Sequence, residues 1–408
     1  MSSDESTVAL MPNGTKEHPS IIKETLEYLN AYVQGKDVNR HDLIAKCQSL
    51  VHGLETPRET MIRHCWSQPG TIAAISFGVS SGLWTLMAKN GTKSQRVSDL
   101  AASLAVDPNL LRRLMRHLAA VGYLVESNED EYTPTDFSTS LSIPIIGNGY
   151  IAATSCIPSS TAKFNEFSRE RGWKNPSDAS DTAFMYALGT DKDMFTWLNC
   201  QGYGPQFNDL MIGYHLGRKS WMSPEVYPVQ ERLIDGAIVG DEAPLLVDIG
   251  GNIGHDLLQF KQRFPNAPGR LILQDLPAVI GQIQDLDSSI IRMEHDFNNE
   301  QPVKGARAYY LRSILHDWPD DTCVIILNNI KEAMKQGYSK LLINENVMPS
   351  VKARWEATCL DMMMLTLLSS EERTEGSWRN LIEGKAGLKI LRIWNDGSSA
   401  ESLIECEL

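Results

Sequence analysis

The chain has 408 residues, of which 42% are hydrophobic and 22% charged, the composition of an ordinary folded protein with room for two or three domains. Its formal net charge of -13 argues against a nucleic-acid partner, because proteins that bind the phosphate backbone usually carry a basic surface. The seven cysteines are scattered and include no CxxC pair, so neither a disulfide framework nor a zinc site is indicated, and a reducing, cytoplasmic setting is expected. No window approaches the roughly 18 uninterrupted apolar residues of a spanning helix, so no membrane association is expected.

The chain begins with a polar, acidic segment over residues 1–18, which predicts a disordered tail. A mainly helical first domain is predicted over 19–150. Within it, apolar residues recur at helical spacing over 21–35 and 41–54. We expect the apolar stripe of each helix to pack on the rest of the chain or on a second subunit.

The second part of this domain combines two helices with a hairpin. The helices are predicted over 97–104 and 107–122, and short strands follow at 123–125 and 132–133. This order is typical of a winged helix-turn-helix, and the arginines of the second helix alone would suggest DNA binding. Because acidic residues surround the hairpin, a dimerisation or substrate-lid role is favoured.

A connector is predicted over 151–235, where strand patterns are weak and aromatic residues are frequent. Most of these aromatic side chains are expected to form helix cores, and a minority could line a substrate pocket. Met185, Trp197 and Met211 are candidates for that pocket by position alone.

Apolar strands alternate with helices in the last segment, 236–408, which is assigned to a catalytic, cofactor-binding domain. This alternation predicts an α/β fold with a doubly wound, mainly parallel sheet. The strands are predicted at 245–249, 270–274, 290–293, 308–311 and 340–344, with a closing antiparallel hairpin over 390–394 and 400–406.

The turn after the first strand of this sheet is rich in glycine. The run VDIGGNIG contains Asp248, Gly250, Gly251 and Gly254 and leads directly into a helix. Glycine permits positive φ and close approach of a ligand, and Asp275, about 20 residues further on, can take both hydroxyls of a ribose. A nucleoside-containing cofactor is therefore implied. The sequence has no P-loop motif, and its glycine spacing does not suit the pyrophosphate of a dinucleotide.

The second motif, LRSILHDWPDD, contains a single histidine. His316 follows the strand predicted at 308–311, near the sheet edge where open α/β folds bind ligands. Pro319 stops regular pairing, and Asp320 or Asp321 can cap the next helix. Taken alone, such a histidine is more often a buried structural residue than a base.

With both motifs in this order, the chain resembles the class I S-adenosyl-L-methionine-dependent O-methyltransferases of the caffeic-acid type, in their fungal secondary-metabolism branch. The resemblance covers about residues 70–395. It implies a Rossmann-like methyltransferase sheet, an N-terminal winged-helix dimerisation domain and a homodimer. It also implies methyl transfer to a phenolic or enolic hydroxyl of a small-molecule secondary metabolite.

The resemblance assigns a cofactor role to each matched position. The glycine loop with Asp248 would hold the methionine part of S-adenosyl-L-methionine, and Asp275 would bind its ribose. Asp296 and Phe297 would flank the adenine, and Arg312 would also contact the cofactor.

The resemblance further implies that His316 is the general base. Glu345 and Glu372 would hydrogen-bond its imidazole, which takes the proton of the substrate as the oxygen attacks the sulfonium methyl, with no metal required. One position departs from the family pattern, because Asn252 replaces the middle glycine of the loop. Asparagine tolerates the left-handed region, so the turn can survive, with added bulk beside the cofactor.

Two other functions stay open. Some fungal members of this fold act as pericyclases or dehydratases, with the bound sulfonium as a fixed positive charge and no methyl transfer. The non-enzymatic alternative is a winged-helix regulator that senses the cofactor, which a gel shift on DNA would reveal.

Overall fold

The computed structural model describes residues 3–14, 18–240, 242–397 and 400–408. The chain divides into two compact units, Met1–Thr154 and Ser155–Leu408. The predicted catalytic domain and all but the first four residues of the predicted connector belong to the second unit.

The first unit is mainly helical. Its helices are α1 (Ser3–Leu10), α2 (His18–Val33), α3 (Arg40–Leu54), α4 (Pro57–Ile62), α5 (Gln68–Ser80), α6 (Leu83–Asn90), α7 (Val97–Leu104), α8 (Pro108–Ala120) and α9 (Asp136–Ser140), with a π-helical turn over Arg63–Ser67. Strands β1 (Gln95–Arg96), β2 (Leu124–Asn128) and β3 (Glu131–Pro134) form an antiparallel sheet in the order β1-β3-β2.

The amino-terminal segment differs from the prediction of a disordered tail over 1–18. Helix α1 occupies part of it, and the backbone N–H groups of Asn13 and Gly14 donate to the carbonyls of Glu55 and Gly53. These hydrogen bonds tie the segment to the end of α3, a contact that composition does not reveal. Residues 1–2 and 15–17 lie outside the described residues.

The helices and hairpin predicted between 97 and 133 are present as α7, α8, β2 and β3. Asp107 precedes helix α8, and its carboxylate caps the helix by accepting from the N–H groups of Asn109 and Leu110. Arg112 of this helix donates to Asp130 in the hairpin turn at 2.7 Å. An acid of the hairpin therefore pairs with one of the arginines that suggested DNA binding. The assignment of this region as a winged-helix dimerisation domain stays a prediction.

The remaining elements include the strands of a second, larger sheet. The helices are α10 (Pro144–Glu170), α11 (Ala183–Leu188), α12 (Met194–Cys200), α13 (Gly204–His215), α14 (His255–Arg263), α15 (Pro277–Ile280), α16 (Asp320–Ala333), α17 (Trp355–Met363) and α18 (Glu375–Arg379). The strands are β4 (Pro244–Ile249), β5 (Arg270–Asp275), β6 (Ile290–Glu294), β7 (Ala308–Arg312), β8 (Lys340–Asn346), β9 (Lys389–Trp394) and β10 (Glu401–Glu407). Shorter turns are the 3-10 turn Leu315–Asp317 and the π-helical turns Gln230–Ile234, Met364–Leu368 and Asn380–Lys385.

The sheet order among the described residues is β6-β5-β4-β7-β8-β10-β9. Strands β4 to β8 pair in parallel, and β10 pairs antiparallel with both β8 and β9. The doubly wound, mainly parallel sheet and its closing hairpin are thus confirmed. Because core clusters cover both faces, β4, β7 and β8 are buried almost along their whole length.

The chain reverses its direction of winding between β4 and β7. It runs outward from β4 through β5 to β6 and then returns to place β7 on the other side of β4. Such a switch point leaves a crevice at the carboxyl ends of the two strands, where ligands bind in open α/β sheets. The glycine loop follows β4, and the motif with His316 follows β7.

No single helix in the described ranges is long and apolar enough to cross a membrane, although the bent pair Pro57–Ser80 and Leu83–Asn90 meets the length and composition limits when its parts are taken together.

Candidate active site

The glycine loop passes tightly between β4 and α14. Gly250 and Gly254 have positive φ values of 70° and 86°. A Cβ atom on Gly250 would lie 2.5 Å from Ile314, and one on Gly251 would lie 2.5 Å from the carboxylate of Asp248. The backbone N–H groups of Gly250 and Gly251 both donate to the Gln274 carbonyl of β5. The loop therefore needs glycine for its backbone conformation and for lack of space.

The carboxylate of Asp248 is buried beside this loop, with 2% of the residue exposed. Among the described residues its Oδ2 has no hydrogen-bond partner. Burial and the nearby carboxylates of Asp256 and Asp275 raise the pKa of Asp248 well above its ordinary value. An unpaired buried carboxylate oxygen is costly, so this position suits a ligand that brings a donor or a positive charge.

Asp275 closes the same turn from the end of β5. Its Oδ2 accepts from the backbone N–H of Asn252 at 2.8 Å, and its Oδ1 accepts from Leu276 N–H at 2.7 Å. Asn252 adopts the left-handed conformation, with φ of 54°, as expected for a residue that replaces glycine. Its side-chain nitrogen donates to Asn208 of α13, whereas its side-chain oxygen is buried and unpaired within the described residues.

The residues predicted to flank adenine follow β6. The backbone N–H of His295 donates to the Asp275 carbonyl, which brings Asp296 and Phe297 next to the end of β5. Asp296 accepts from the backbone and side chain of Asn298. The ring of Phe297 meets Trp318 edge-on, with 6.0 Å between ring centroids. The segment with Asp296 and Phe297 and the motif with His316 therefore reach the same edge of the sheet.

Arg312 lies at the carboxyl end of β7 in a cluster of partly buried polar groups. Its guanidinium pairs with Asp256 of α14 and with Glu401 of β10, each at 3.0 Å. Its Nη2 also lies 3.0 Å from Nδ1 of His215. Burial and the positive charge of Arg312 lower the pKa of His215 to about 3, so this histidine is neutral and accepts the hydrogen bond. The sequence did not point to these three partners of Arg312.

His316 occupies the 3-10 turn that follows β7, and only 5% of the residue is exposed. Its Nδ1 lies 2.6 Å from Oε1 of Glu372, a short hydrogen bond between buried groups. Its Nε2 lies 3.5 Å from Oδ1 of the neighbouring Asp317.

Glu345, at the end of β8, holds the backbone before the histidine and does not bond to the ring. Its Oε1 accepts from the N–H groups of Ile314 and Leu315 at 2.9 and 2.8 Å. Its Oε2 lies 3.8 Å from Nδ1 of His316, beyond hydrogen-bond distance. Of the two acids expected to bond to the imidazole, only Glu372 does so.

The three carboxylates around His316 determine its charge. Burial lowers the pKa of the imidazole, but Glu345, Asp317 and Glu372 together raise it well above the ordinary value. Burial also raises the pKa of Asp317 to about 7 and increases the pKa of Glu345. The site therefore stabilises an imidazolium and can share protons among neighbouring groups.

The expected cap of the next helix is wrong. Helix α16 begins after Pro319, which supplies no side-chain cap, and Asp320 lies in its first turn. The carboxylate of Asp320 instead accepts from Arg373 and Lys385 at 2.8 and 3.0 Å. Asp320 therefore pairs with basic residues distant in sequence and does not cap the helix.

An apolar wall lies against the turn with His316. The π-helical turn Met364–Leu368 contacts that turn and belongs to a buried cluster with Phe184 and Met194. Met185 and Trp197, which were candidates by position, pack against this cluster, whereas Met211 does not belong to it.

A Rossmann-like sheet with a glycine loop and an acid at adjacent strand ends is the arrangement in which many α/β proteins bind a nucleoside cofactor at the switch point. Comparison with known proteins makes the class specific. A family profile described as an O-methyltransferase domain matches residues 238–389. The O-methyltransferase mfmE of Annulohypoxylon moriforme is 34% identical over 98% of this chain and 100% of that protein. The O-methyltransferase mpaG' of Penicillium brevicompactum is 34% identical over 95% of this chain and 98% of its own.

Two solved structures share the architecture of nearly the whole chain. OxaC, in complex with sinefungin and meleagrin, has a TM-score of 0.86 at 27% identity over 97% of this chain and 100% of its own. A structure described as a pericyclic reaction enzyme has a TM-score of 0.84 at 30% identity over 96% of this chain and 100% of its own. The chain belongs to the O-methyltransferase family, an enzyme family whose cofactor is S-adenosyl-L-methionine.

Proposed function

We propose that this protein transfers a methyl group from S-adenosyl-L-methionine to a phenolic or enolic hydroxyl of a secondary metabolite, with His316 as general base. The observation that carries this proposal is the 2.6 Å hydrogen bond between Nδ1 of His316 and Glu372. It orients the ring and favours the tautomer in which Nδ1 bears the hydrogen, which leaves the lone pair on Nε2 free to accept a proton.

The residues at the switch point fit the cofactor. The unpaired oxygen of Asp248 suits a cationic amino group. The glycine loop beside it makes its tight turn because Gly250 and Gly254 adopt positive φ. Asp275, Asp296, Phe297 and Arg312 are the remaining proposed contacts. When bound, the cofactor supplies the electrophilic methyl group.

Residues of the chain remove the hydroxyl proton of the substrate. A phenol has a pKa near 10 and is mostly protonated at neutral pH, so a base must remove its proton. Nε2 of His316 accepts that proton, and Glu372 and Glu345 stabilise the resulting imidazolium. A positioned general base contributes about 10²–10⁴-fold to the rate. The apolar turn Met364–Leu368 packs against the turn that carries this base.

A second candidate function is a pericyclase or dehydratase that uses the same cofactor as a fixed positive charge. The observation in its favour is the likeness to the pericyclic reaction enzyme over 96% of the chain. Against it stands the intact pairing of His316 with Glu372, which a fixed charge does not require.

The test is product mass. The purified full chain is incubated with S-adenosyl-L-methionine that carries a CD₃ group and with a panel of phenols, enols and hydroxypyridones. Methyl transfer gives a product in which CD₃ replaces one hydrogen. Substrate conversion without label, by isomerisation or loss of water, rejects methyl transfer and supports the second candidate.

We also propose that the protein is a cytoplasmic homodimer assembled through the region 19–150. Apolar side chains on α2 support this assembly, because Leu26 is 54% exposed and Val33 is 84% exposed. Light scattering tests it. We expect a dimer for the natural chain and for Lys23→Glu, and a monomer for the double variant Leu26→Glu/Val33→Glu. A monomeric natural chain would reject the assembly.

A further inference from the structure

Two consecutive residues, Glu372 and Arg373, both form side-chain hydrogen bonds with the turn that contains His316. Glu372 bonds to the imidazole, and the next residue, Arg373, bonds to the backbone around it. Arg373 is 1% exposed, although it carries a permanent charge. Such burial is costly unless the guanidinium is fully paired.

The guanidinium of Arg373 spans the turn. Its Nη1 donates to the carbonyl of Leu315 at 2.8 Å, and its Nη2 donates to the carbonyl of Trp318 at 2.9 Å. These two carbonyls lie on either side of His316 and Asp317. One planar group therefore fixes both ends of the segment that carries the base.

The other contacts of Arg373 anchor it to the fold. Its Nε and Nη2 donate to Asp320 of α16 at 3.0 and 2.8 Å. Its own carbonyl accepts from Met348 N–H, just beyond the end of β8. The sulfur of Cys323 lies 3.1 and 3.3 Å from the carbonyl oxygens of Leu315 and Trp318, so its single S–H adds a weak hydrogen bond shared between the same two groups.

We propose that Arg373 is the positioning residue that holds the His316 turn at the distance from Glu372 that base catalysis requires. The kinetic part of this inference rests on the proposed function. Lysine at position 373 would keep the positive charge but could not donate in plane to both carbonyls. The turn would then move relative to Glu372 while the local charge stayed the same.

The chain offers a matched control in Arg307. This arginine also donates to backbone carbonyls, those of Leu233, Tyr338 and Arg232, but it immediately precedes β7, at the opposite end of that strand from His316. Arg307→Lys removes a comparable set of hydrogen bonds away from the site. A merely structural role would lower the unfolding midpoint of both variants and change nothing else.

The experiment compares both Lys variants with the natural enzyme. For Arg373→Lys we expect kcat to fall by about 10²-fold, since small displacements of a catalytic group have such effects. Its KM and the calorimetric affinity for S-adenosyl-L-methionine should change little. For Arg307→Lys, kcat should stay within a few-fold of the natural value. Equal kcat values for the two variants would overturn the proposal.

A second readout needs no turnover. The imidazole of His316 is titrated by NMR in histidine-labelled protein, with its signal assigned by its loss in His316→Gln. We expect the midpoint in Arg373→Lys to move down towards the ordinary value, because the contact with Glu372 weakens, and to stay unchanged in Arg307→Lys. An unchanged midpoint in Arg373→Lys would reject the positioning role even if the natural protein transfers no methyl group. A shifted midpoint without methyl transfer would retain the positioning role and reject only the proposed reaction.

If Arg373→Lys does not fold, Asp320→Asn replaces it, because this change loosens the anchor of Arg373 and leaves the guanidinium in place. The same downward shift of the His316 midpoint is expected, with a smaller loss of kcat. Lys385→Ala, which removes the other partner of Asp320, serves as its control. A natural midpoint in Asp320→Asn would count against the proposal.

Discussion

Glu372 Oε1 lies 2.6 Å from His316 Nδ1, and both residues are buried. The pair joins the turn after β7 to a segment 56 residues further along the chain. Because water cannot replace the carboxylate at this depth, the orientation and charge of the imidazole depend on it.

Replacing Glu372 by glutamine keeps the size of the side chain and removes its charge. We expect kcat to fall by about 10²-fold or more, since the imidazolium formed on proton transfer loses its closest partner. Cofactor affinity should stay within a few-fold, because the proposed contacts with the cofactor lie elsewhere. Steady-state kinetics and calorimetry check both statements, and a natural kcat would remove Glu372 from the mechanism.

The pH dependence of kcat/KM follows from the charge of His316. The three surrounding carboxylates raise its pKa, and only the neutral imidazole accepts a proton. The rate should therefore increase with pH through a midpoint above about 6.5, the ordinary histidine value. In Glu372→Gln the midpoint should move down, because one source of the upward shift is gone. If the natural enzyme kept its full kcat/KM at a pH well below 6.5, the ordinary histidine pKa, the proposed base would be contradicted.

Asp275 is expected to determine cofactor affinity. In Asp275→Asn, the loss of a charged acceptor should weaken S-adenosyl-L-methionine binding by about 10–100-fold, the effect of 1.5–3 kcal/mol. Asp287→Asn is the matched control, because Asp287 also accepts from a backbone N–H but pairs with Lys261 away from the loop. Calorimetric titration should give natural affinity for the control. Equal affinities in both variants would exclude Asp275 from the cofactor site.

Asn252 has a left-handed backbone, so its replacements should differ in stability. We expect the free energy of unfolding of Asn252→Gly to lie within about 1 kcal/mol of that of the natural chain, because glycine adopts this conformation freely. Asn252→Ala should be less stable than Asn252→Gly by about 1–2 kcal/mol, the cost of placing a Cβ in this region. Denaturant unfolding measures both. An alanine variant as stable as the glycine variant would show that the turn relaxes.

Patterns local in the sequence predicted the sheet and the positions of its motifs. The strands of the parallel sheet are short, mainly apolar runs, and the glycine loop and the turn with His316 come soon after the ends of their strands. Strand order then brings the ends of β4 and β7 together, as the switch-point rule requires.

Contacts between distant segments were not predictable in the same way. His215 accepts a hydrogen bond from Arg312, 97 residues away in sequence, and Arg373 donates one to the carbonyl of Leu315, 58 residues away. No periodicity or spacing signals such pairs, because they depend on how α13 and the segment after α17 pack against the sheet. The same reason explains why Asp320 binds Arg373 when a helix cap was expected.

The most direct test of the proposed mechanism is the rate of labelled methyl transfer by His316→Ala at saturating cofactor. We predict a loss of about 10²–10⁴-fold relative to the natural chain, with the affinity for S-adenosyl-L-methionine unchanged within a few-fold. Transfer by His316→Ala at a rate within a few-fold of the natural enzyme would contradict the assignment of His316 as the base.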